Sequence, residues 1–189
     1  MPRSYGGHFT DAGFEEVLVP ALWDQATFIA KAGPEIVNQM YAWPDKKGRP
    51  ICLIPEVTGV IQEMWRDEWS KQREQMKLFY IARCYRYERP QDLRYREFTQ
   101  VGVEYLGGRG PEDQREVEAL LRAVLDRTGV RYEFDSAVAR GLAYYTDAGF
   151  EARCDALGAQ KQIAGGGRYA EGVGWAIGLE RLLGAIERS

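Results

Sequence analysis

Histidine is almost missing from this chain: 189 residues contain one, His8, in a Gly-rich opening stretch. A Ser–His or Cys–His nucleophile needs a histidine held by the core, so that chemistry is set aside, and His-ligated metal sites with it. Cysteine is scarce too. Cys52, Cys84 and Cys154 are too few and too far apart for a zinc cluster or a disulfide framework. Ile51-Cys52-Leu53 and Arg83-Cys84-Tyr85 read as strand interiors, so buried reduced thiols are expected. No apolar run approaches the roughly 18 residues of a membrane-spanning helix, and Met1 to Gly7 has no apolar signal core. The expectation is a cytoplasmic protein with no membrane partner. Positive charge is not in excess either: 25 Lys and Arg against 28 Asp and Glu leave a net charge of −3. Contact with nucleic acid must then come from a local patch.

What is present fits one domain over residues 1–189, with 1–12 expected as a mobile lead-in. Phe14 to Val19 reads as a strand stopped by Pro20. Asp24 is placed to cap a helix through Ala32, ended by Gly33-Pro34. Residues 40–43 and 50–54 pair as a hairpin around a polar turn. Val57 to Gln75 reads as a long helix, with Val60, Ile61, Met64 and Trp65 at helical spacing. Lys77 to Tyr87 and Phe98 to Leu106 form two strands joined by a charged loop. A helix starts at Pro111, runs to Arg127 and closes at Gly129; its acids Glu112, Asp113, Glu116 and Glu118 read as a solvated face. Val130 to Phe134, Leu142 to Arg153 and Gln160 to Ala164 suggest further strands. Gly165-Gly166-Gly167 reads as a break, and Leu179 to Ile186 as a terminal helix. Without regular strand–helix alternation, the expected class is α+β, a largely antiparallel sheet flanked by helices.

The densest chemical feature runs from Arg83 to Phe98. Five arginines (Arg83, Arg86, Arg89, Arg94, Arg96) fall in 14 residues, interleaved with aromatics. Guanidinium groups offer planar paired donors that suit phosphate oxygens. By strand alternation Cys84, Arg86 and Glu88 share one face, and Tyr85, Tyr87 and Arg89 the other. Alone, such a run equally describes a solvated hairpin. A second feature, Gly174-Trp175-Ala176-Ile177-Gly178-Leu179-Glu180-Arg181-Leu182, puts an arginine in the first turn of a helix after a small-residue strand.

Together the two features resemble motifs 2 and 3 of the class II aminoacyl-tRNA synthetases. Tyr87-Glu88-Arg89-Pro90-Gln91, Arg94-Tyr95-Arg96-Glu97-Phe98 and Gln100-Val101-Gly102-Val103-Glu104 resemble the histidyl-tRNA synthetase family in particular. So do Arg140-Gly141-Leu142-Ala143-Tyr144-Tyr145, Gly166-Gly167-Arg168-Tyr169 and Leu53-Ile54-Pro55-Glu56-Val57-Thr58. The resemblance, from about Gly13 to Arg188, implies the class II antiparallel-sheet fold, ATP with Mg²⁺ as cofactors, and histidine as amino acid. It further implies a homodimer and the acceptor end of tRNA as partner. Arg86 would contact the ATP α-phosphate and the substrate carboxylate, Glu88 the adenine, Arg94 the outer phosphates, and Arg181 the γ-phosphate. Arg140 would be the second catalytic arginine. Glu56, Thr58 and Gln100 would hold the amino group; Glu104 and Tyr145 would address the imidazole, with Tyr169 lining the pocket. Two plainer readings stay open: Glu56 as a helix cap and Tyr144-Tyr145 as sheet core.

The chain also departs from the family pattern. Only 35 residues separate Glu104 from Arg140, so the helical insertion is missing, and the chain ends at Ser189, directly after motif 3. The expectation is an activation core without the anticodon-binding domain. Ile54, Thr99, Ala143 and Ala170 replace residues usual in the family on the amino-acid side. Two functions follow. One is an enzyme making an aminoacyl-adenylate from histidine, for tRNA or another acceptor. The other is a non-catalytic histidine-binding regulatory paralogue of the kind that partners ATP phosphoribosyltransferase.

Overall fold

A computed structural model describes residues 7–30, 33–108, 110–138, 145–146, 149–158 and 160–189. The chain opens on α1 (Gly7–Asp11). Residues 7–11 of the stretch read as mobile are therefore helical, and Phe9 is buried and stacked on Phe79 with ring centroids 5.0 Å apart. β1 keeps only Glu15–Glu16 of the expected strand. β2 (Leu22–Asp24) leads into α2 (Gln25–Ile29), whose first turn is capped by Asp24 Oδ1 accepting from the Ala26 amide at 2.8 Å. Gly33, with φ of 81°, turns the chain into a short α3 (Pro34–Asn38). β3 (Ala42–Pro44) and β4 (Pro50–Leu53) form the expected hairpin, and β2 pairs with β4 to make a small sheet. α4 covers Thr58–Asp67 and is followed by a 3₁₀ turn, Trp69–Lys71. The expected helix to Gln75 is thus shorter. Beyond Trp69 the sequence has no apolar stripe, and packing of such a stripe is what sustains a helix of this length.

The main sheet is built on β5 (Met76–Tyr85) and β6 (Glu97–Leu106), paired antiparallel from Met76↔Leu106 to Tyr85↔Glu97. After α5 (Pro111–Thr128) come β7 (Glu133–Val138), β8 (Gly149–Arg153), β9 (Gln162–Tyr169), β10 (Gly172–Gly178) and α6 (Leu179–Arg188). Among the described residues the strand order is β1-β5-β6-β10-β9-β8-β7, and every pairing is antiparallel except β1 with β5. The expected α+β class is what the chain adopts. The triple glycine does not break the sheet: it lies inside β9, with Gly165 and Gly166 paired on both sides and Gly167 paired to β10. A Cβ at Gly166 would come within 2.4 Å of the Gly174 carbonyl oxygen, so glycine there is a packing requirement.

Alternation along the strands makes two cores. On one face Phe79, Val103, Trp175 and Ile177 pack under α5 and α6. Trp175 Nε1 donates to the Val117 carbonyl at 2.7 Å, fastening α5 to the sheet. On the other face Leu78, Tyr80, Ala82 and Cys84 meet Phe28, Val57 and Ile61. The three cysteines are free and buried, as read. Among the described residues no helix is long and apolar enough to cross a membrane.

Candidate active site

Register decides what the second face can hold. Across five strands one row runs Tyr80, Gly102, Ala176, Gly165, Glu151, and the next runs Leu78, Glu104, Gly174, Gly167. Small residues on β9 and β10 leave open space between the β5–β6 hairpin and β8. The result is a cavity of about 680 Å³, within the usual size for a small-molecule site.

The β5–β6 end supplies the first wall. Inward alternation persists past the end of β5: Cys84 and Glu88 are buried and Arg86 half-buried, while Tyr87 and Arg89 face out. Arg86 Nε donates to the Pro55 carbonyl at 2.9 Å, and its guanidinium lies over the Phe98 ring at 5.2 Å. Arg94 is ion-paired to Glu88. Arg96 Nε donates to the Glu88 carbonyl at 3.0 Å and stacks over Tyr87 at 4.3 Å.

The opposite wall comes from α6. Glu180 accepts the Thr99 amide with both oxygens, at 2.8 and 3.0 Å, which pins the first turn of α6 to β6. Arg181 donates Nε to the Gln162 carbonyl at 2.6 Å and a second nitrogen to that of Gln160. Burial, then the charge of Arg94, holds its pKa below the usual guanidinium value.

Beneath the cavity lies an acid–hydroxyl cluster. Glu104 has no exposed surface; Thr58 Oγ1 donates to it at 2.6 Å and the Tyr169 hydroxyl at 2.5 Å. Burial pushes its pKa up to about 8; those two hydrogen bonds oppose the rise and the nearby Glu56 adds to it. Glu56 Oε1 accepts the Gly59 amide at 2.9 Å, so the plainer helix-cap reading is realised even though the residue also lines the cavity. Gln100 Oε1 accepts from Cys84 Sγ at 3.3 Å. Tyr145 bridges Tyr169 through backbone pairing and packs against the second core.

Of the residues singled out by sequence, Glu56, Thr58, Arg86, Glu88, Arg94, Gln100, Tyr145 and Arg181 line this one cavity. Glu104 and Tyr169 lie below its surface, and Arg140 falls outside the described residues. Sequence reasoning missed the far wall, Glu151, Arg153 and the segment Gln160, Lys161 and Gln162 that leads into β9. The available signal was the alternate spacing of Glu151 and Arg153 on a strand, which carries no motif. Glu151 and Arg153 form an ion pair at 2.6 Å. Among the described residues no group of three or more His, Cys, Asp or Glu is gathered for a metal. A magnesium ion carried by phosphates needs only one or two carboxylates; Glu151 on the cavity wall is the carboxylate that would fit that need.

Residues 3–132 match the family model described as histidyl-tRNA synthetase. The chain belongs to the histidyl-tRNA synthetase family. A histidine–tRNA ligase of Methanosphaerula palustris is 28% identical over 276 aligned positions, covering 92% of this chain and 68% of the relative. That alignment is longer than the chain itself, so the relative carries internal segments that this chain lacks, in keeping with the missing insertion. The apo S. aureus histidyl-tRNA synthetase superposes with a TM-score of 0.77 at 25% identity, over 96% of this chain and 63% of that one. This chain therefore spans about two thirds of the histidyl-tRNA synthetases it matches. A Bacillus halodurans protein described as an ATP phosphoribosyltransferase regulatory subunit/histidyl-tRNA synthetase also superposes at 0.77, with 16% identity, over 95% of this chain and 77% of that one. That likeness shows a shared fold.

Proposed function

We propose that this chain activates histidine with ATP, releasing pyrophosphate and leaving histidyl-adenylate in the cavity. The supporting observation is that one cavity joins Arg86, Arg94 and Arg181 to a floor of Glu104, Thr58 and Tyr169. A carboxylate oxygen attacks the α-phosphorus, the bond to the bridging oxygen breaks, and pyrophosphate leaves with that electron pair. Because anions are brought together, positioning and positive charge carry the catalysis. Arg86 serves the α-phosphate and carboxylate, and Arg140 is assigned the second catalytic role on the family motif alone; Arg94 and Arg181 take the outer phosphates; Glu88 faces the adenine. Glu56, Thr58 and Gln100 hold the amino group, and Glu104, Tyr145 and Tyr169 select the imidazole. Magnesium on the phosphates would neutralise further charge. The histidyl group then passes to the end of tRNA or to another acceptor, the active unit is a homodimer, and these substrates place the work in the cytoplasm.

The likeness to the Bacillus halodurans protein keeps one competitor in view, a histidine-binding regulatory subunit. ATP–pyrophosphate exchange with each of the twenty amino acids separates the two. Exchange with histidine alone is expected. Calorimetric histidine binding without exchange would overturn the enzymatic reading in favour of the regulatory one.

A further inference from the structure

The loop between β5 and β6 carries a backbone feature that the proposed chemistry does not use. Leu93 has φ of 57°, the one non-glycine residue with positive φ among the described residues. A leucine enters that left-handed region at a cost, because its Cβ crowds the following carbonyl. The surroundings over-determine the conformation. Gln91 and Arg94 exchange backbone hydrogen bonds at 3.2 and 3.0 Å, closing a tight turn around Asp92 and Leu93. The Leu93 side chain is half-buried against the core and lines the cavity.

Its seat is on α6. A Cβ at Gly184 would fall 2.3 Å from Leu93 Cδ1 and 2.8 Å from Cδ2, so the missing side chain of Gly184 is the notch that Leu93 fills. Beside it, Asp92 pairs with Arg188 at 2.7 Å. Arg181, Gly184 and Arg188 are spaced three and four residues apart, which puts them on one helix stripe. That stripe faces the loop: its first residue is the phosphate-facing arginine, its second receives Leu93, and its third holds Asp92. On the loop the next residue after Leu93 is Arg94, close enough to Arg181 for their charges to act on each other.

We propose that Leu93 is a positioning residue that latches the loop bearing Arg94 onto the helix bearing Arg181, so that the two arginines meet the ATP polyphosphate as one unit. Arg94 is ion-paired to Glu88, which offsets only part of its repulsion from Arg181. A rigid mechanical link between their elements holds them in place until an anion separates them, and a preorganised site loses less on binding. The proposal rests on the adenylation reading.

The test uses Leu93→Gly, which keeps access to the left-handed turn while removing the latch, and Gly184→Ala, which fills the notch. Glycine suits that backbone region and alanine favours the helix, so both variants are expected to fold, each losing some stability with the Leu93 packing. Each should raise KM for ATP in the exchange assay, and Kd for ATP by calorimetry, by about tenfold, while KM for histidine moves by less than about twofold. The double variant should be no worse than either single one, because both remove the same contact. Trypsin should cut within the arginine-rich loop faster in each variant. An unchanged ATP affinity in Leu93→Gly, or additive losses in the double variant, would overturn the latch and leave the adenylation reading standing. A parent protein that neither binds ATP nor supports exchange would overturn both.

Discussion

Glu104 sets the terms at the scale of single residues. It has no exposed surface, and its partners at 2.6 and 2.5 Å are two hydroxyls, which cannot neutralise a charge. With its pKa pushed from 4.5 to about 8, the folded protein retains a proton that the unfolded chain gives up above about pH 4.5. Stability from this group is therefore fully present below that pH and is lost as pH climbs through 8. Replacing it by Gln removes the titration. Urea unfolding of the parent should weaken between pH 5 and 8 relative to Glu104→Gln, by on the order of a few kcal/mol; parallel profiles would show that Glu104 is ionised in the fold. Arg181 makes the complementary case for charge. Among the described residues its contacts are the backbone carbonyls of Gln160 and Gln162, with no carboxylate paired to it, so the cation is available to phosphate. Arg181→Ala should lower pyrophosphate exchange by on the order of 10²-fold or more, as removal of a transition-state charge does. An exchange rate close to the parent's would reassign the residue. Both residues were legible in the sequence because arginine runs and family motifs mark them. The raised pKa of Glu104 was not, since it depends on how completely β5, β9, β10 and α4 close around it.

Elements were legible in proportion to how local their causes are. α5 begins at Pro111 and ends before Gly129, whose φ is 74°, as its own sequence dictates. α4 stops at Asp67, short of the expected Gln75, because its apolar stripe ends with Trp65 and Trp69. The Gly165–Gly167 run reads as a break because consecutive glycines signal a turn, whereas here β8 and β10 supply ladders to it. Pairing of that kind is non-local and leaves no mark on a single stretch of sequence. The glycines of β9 and β10 carve the site, and their cost of replacement should follow their surroundings. A Cβ at Gly174 would lie 1.9 Å from Glu104 Oε2 and 2.4 Å from the Val103 carbonyl oxygen, whereas at Gly110 the nearest atoms are 3.9 Å away. Gly174→Ala should therefore destabilise by about 1–3 kcal/mol, the usual result of overpacking, and Gly110→Ala by far less. Chemical unfolding of the two variants side by side checks this; equal losses would mean that the β6–β10 floor yields to added volume.

For the whole molecule the question is how much of the reaction this set of elements contains. The cavity is walled by the β5–β6 hairpin, β8–β10 and the first turn of α6, and floored from α4 and β6. Each group assigned to ATP or histidine, apart from Arg140, lies in those elements or on the loops between them. Tyr145 is one example, held to β9 by its pairing with Tyr169. Nothing in that inventory waits for a nucleic acid to deliver it. Net charge points the same way: at −3 the chain as a whole repels a polyanion, so any contact with tRNA must be confined to a local basic surface. Activation and transfer should accordingly separate. Histidine-dependent exchange is expected at full rate without tRNA, and added tRNA should change it by less than about twofold. Histidyl transfer to tRNA, measured on the same preparation, should fall steeply as salt rises, because contact through phosphates releases counterions. Exchange that appears only when tRNA is present would show that the acceptor completes the cavity, and the division between activation and transfer would have to be redrawn.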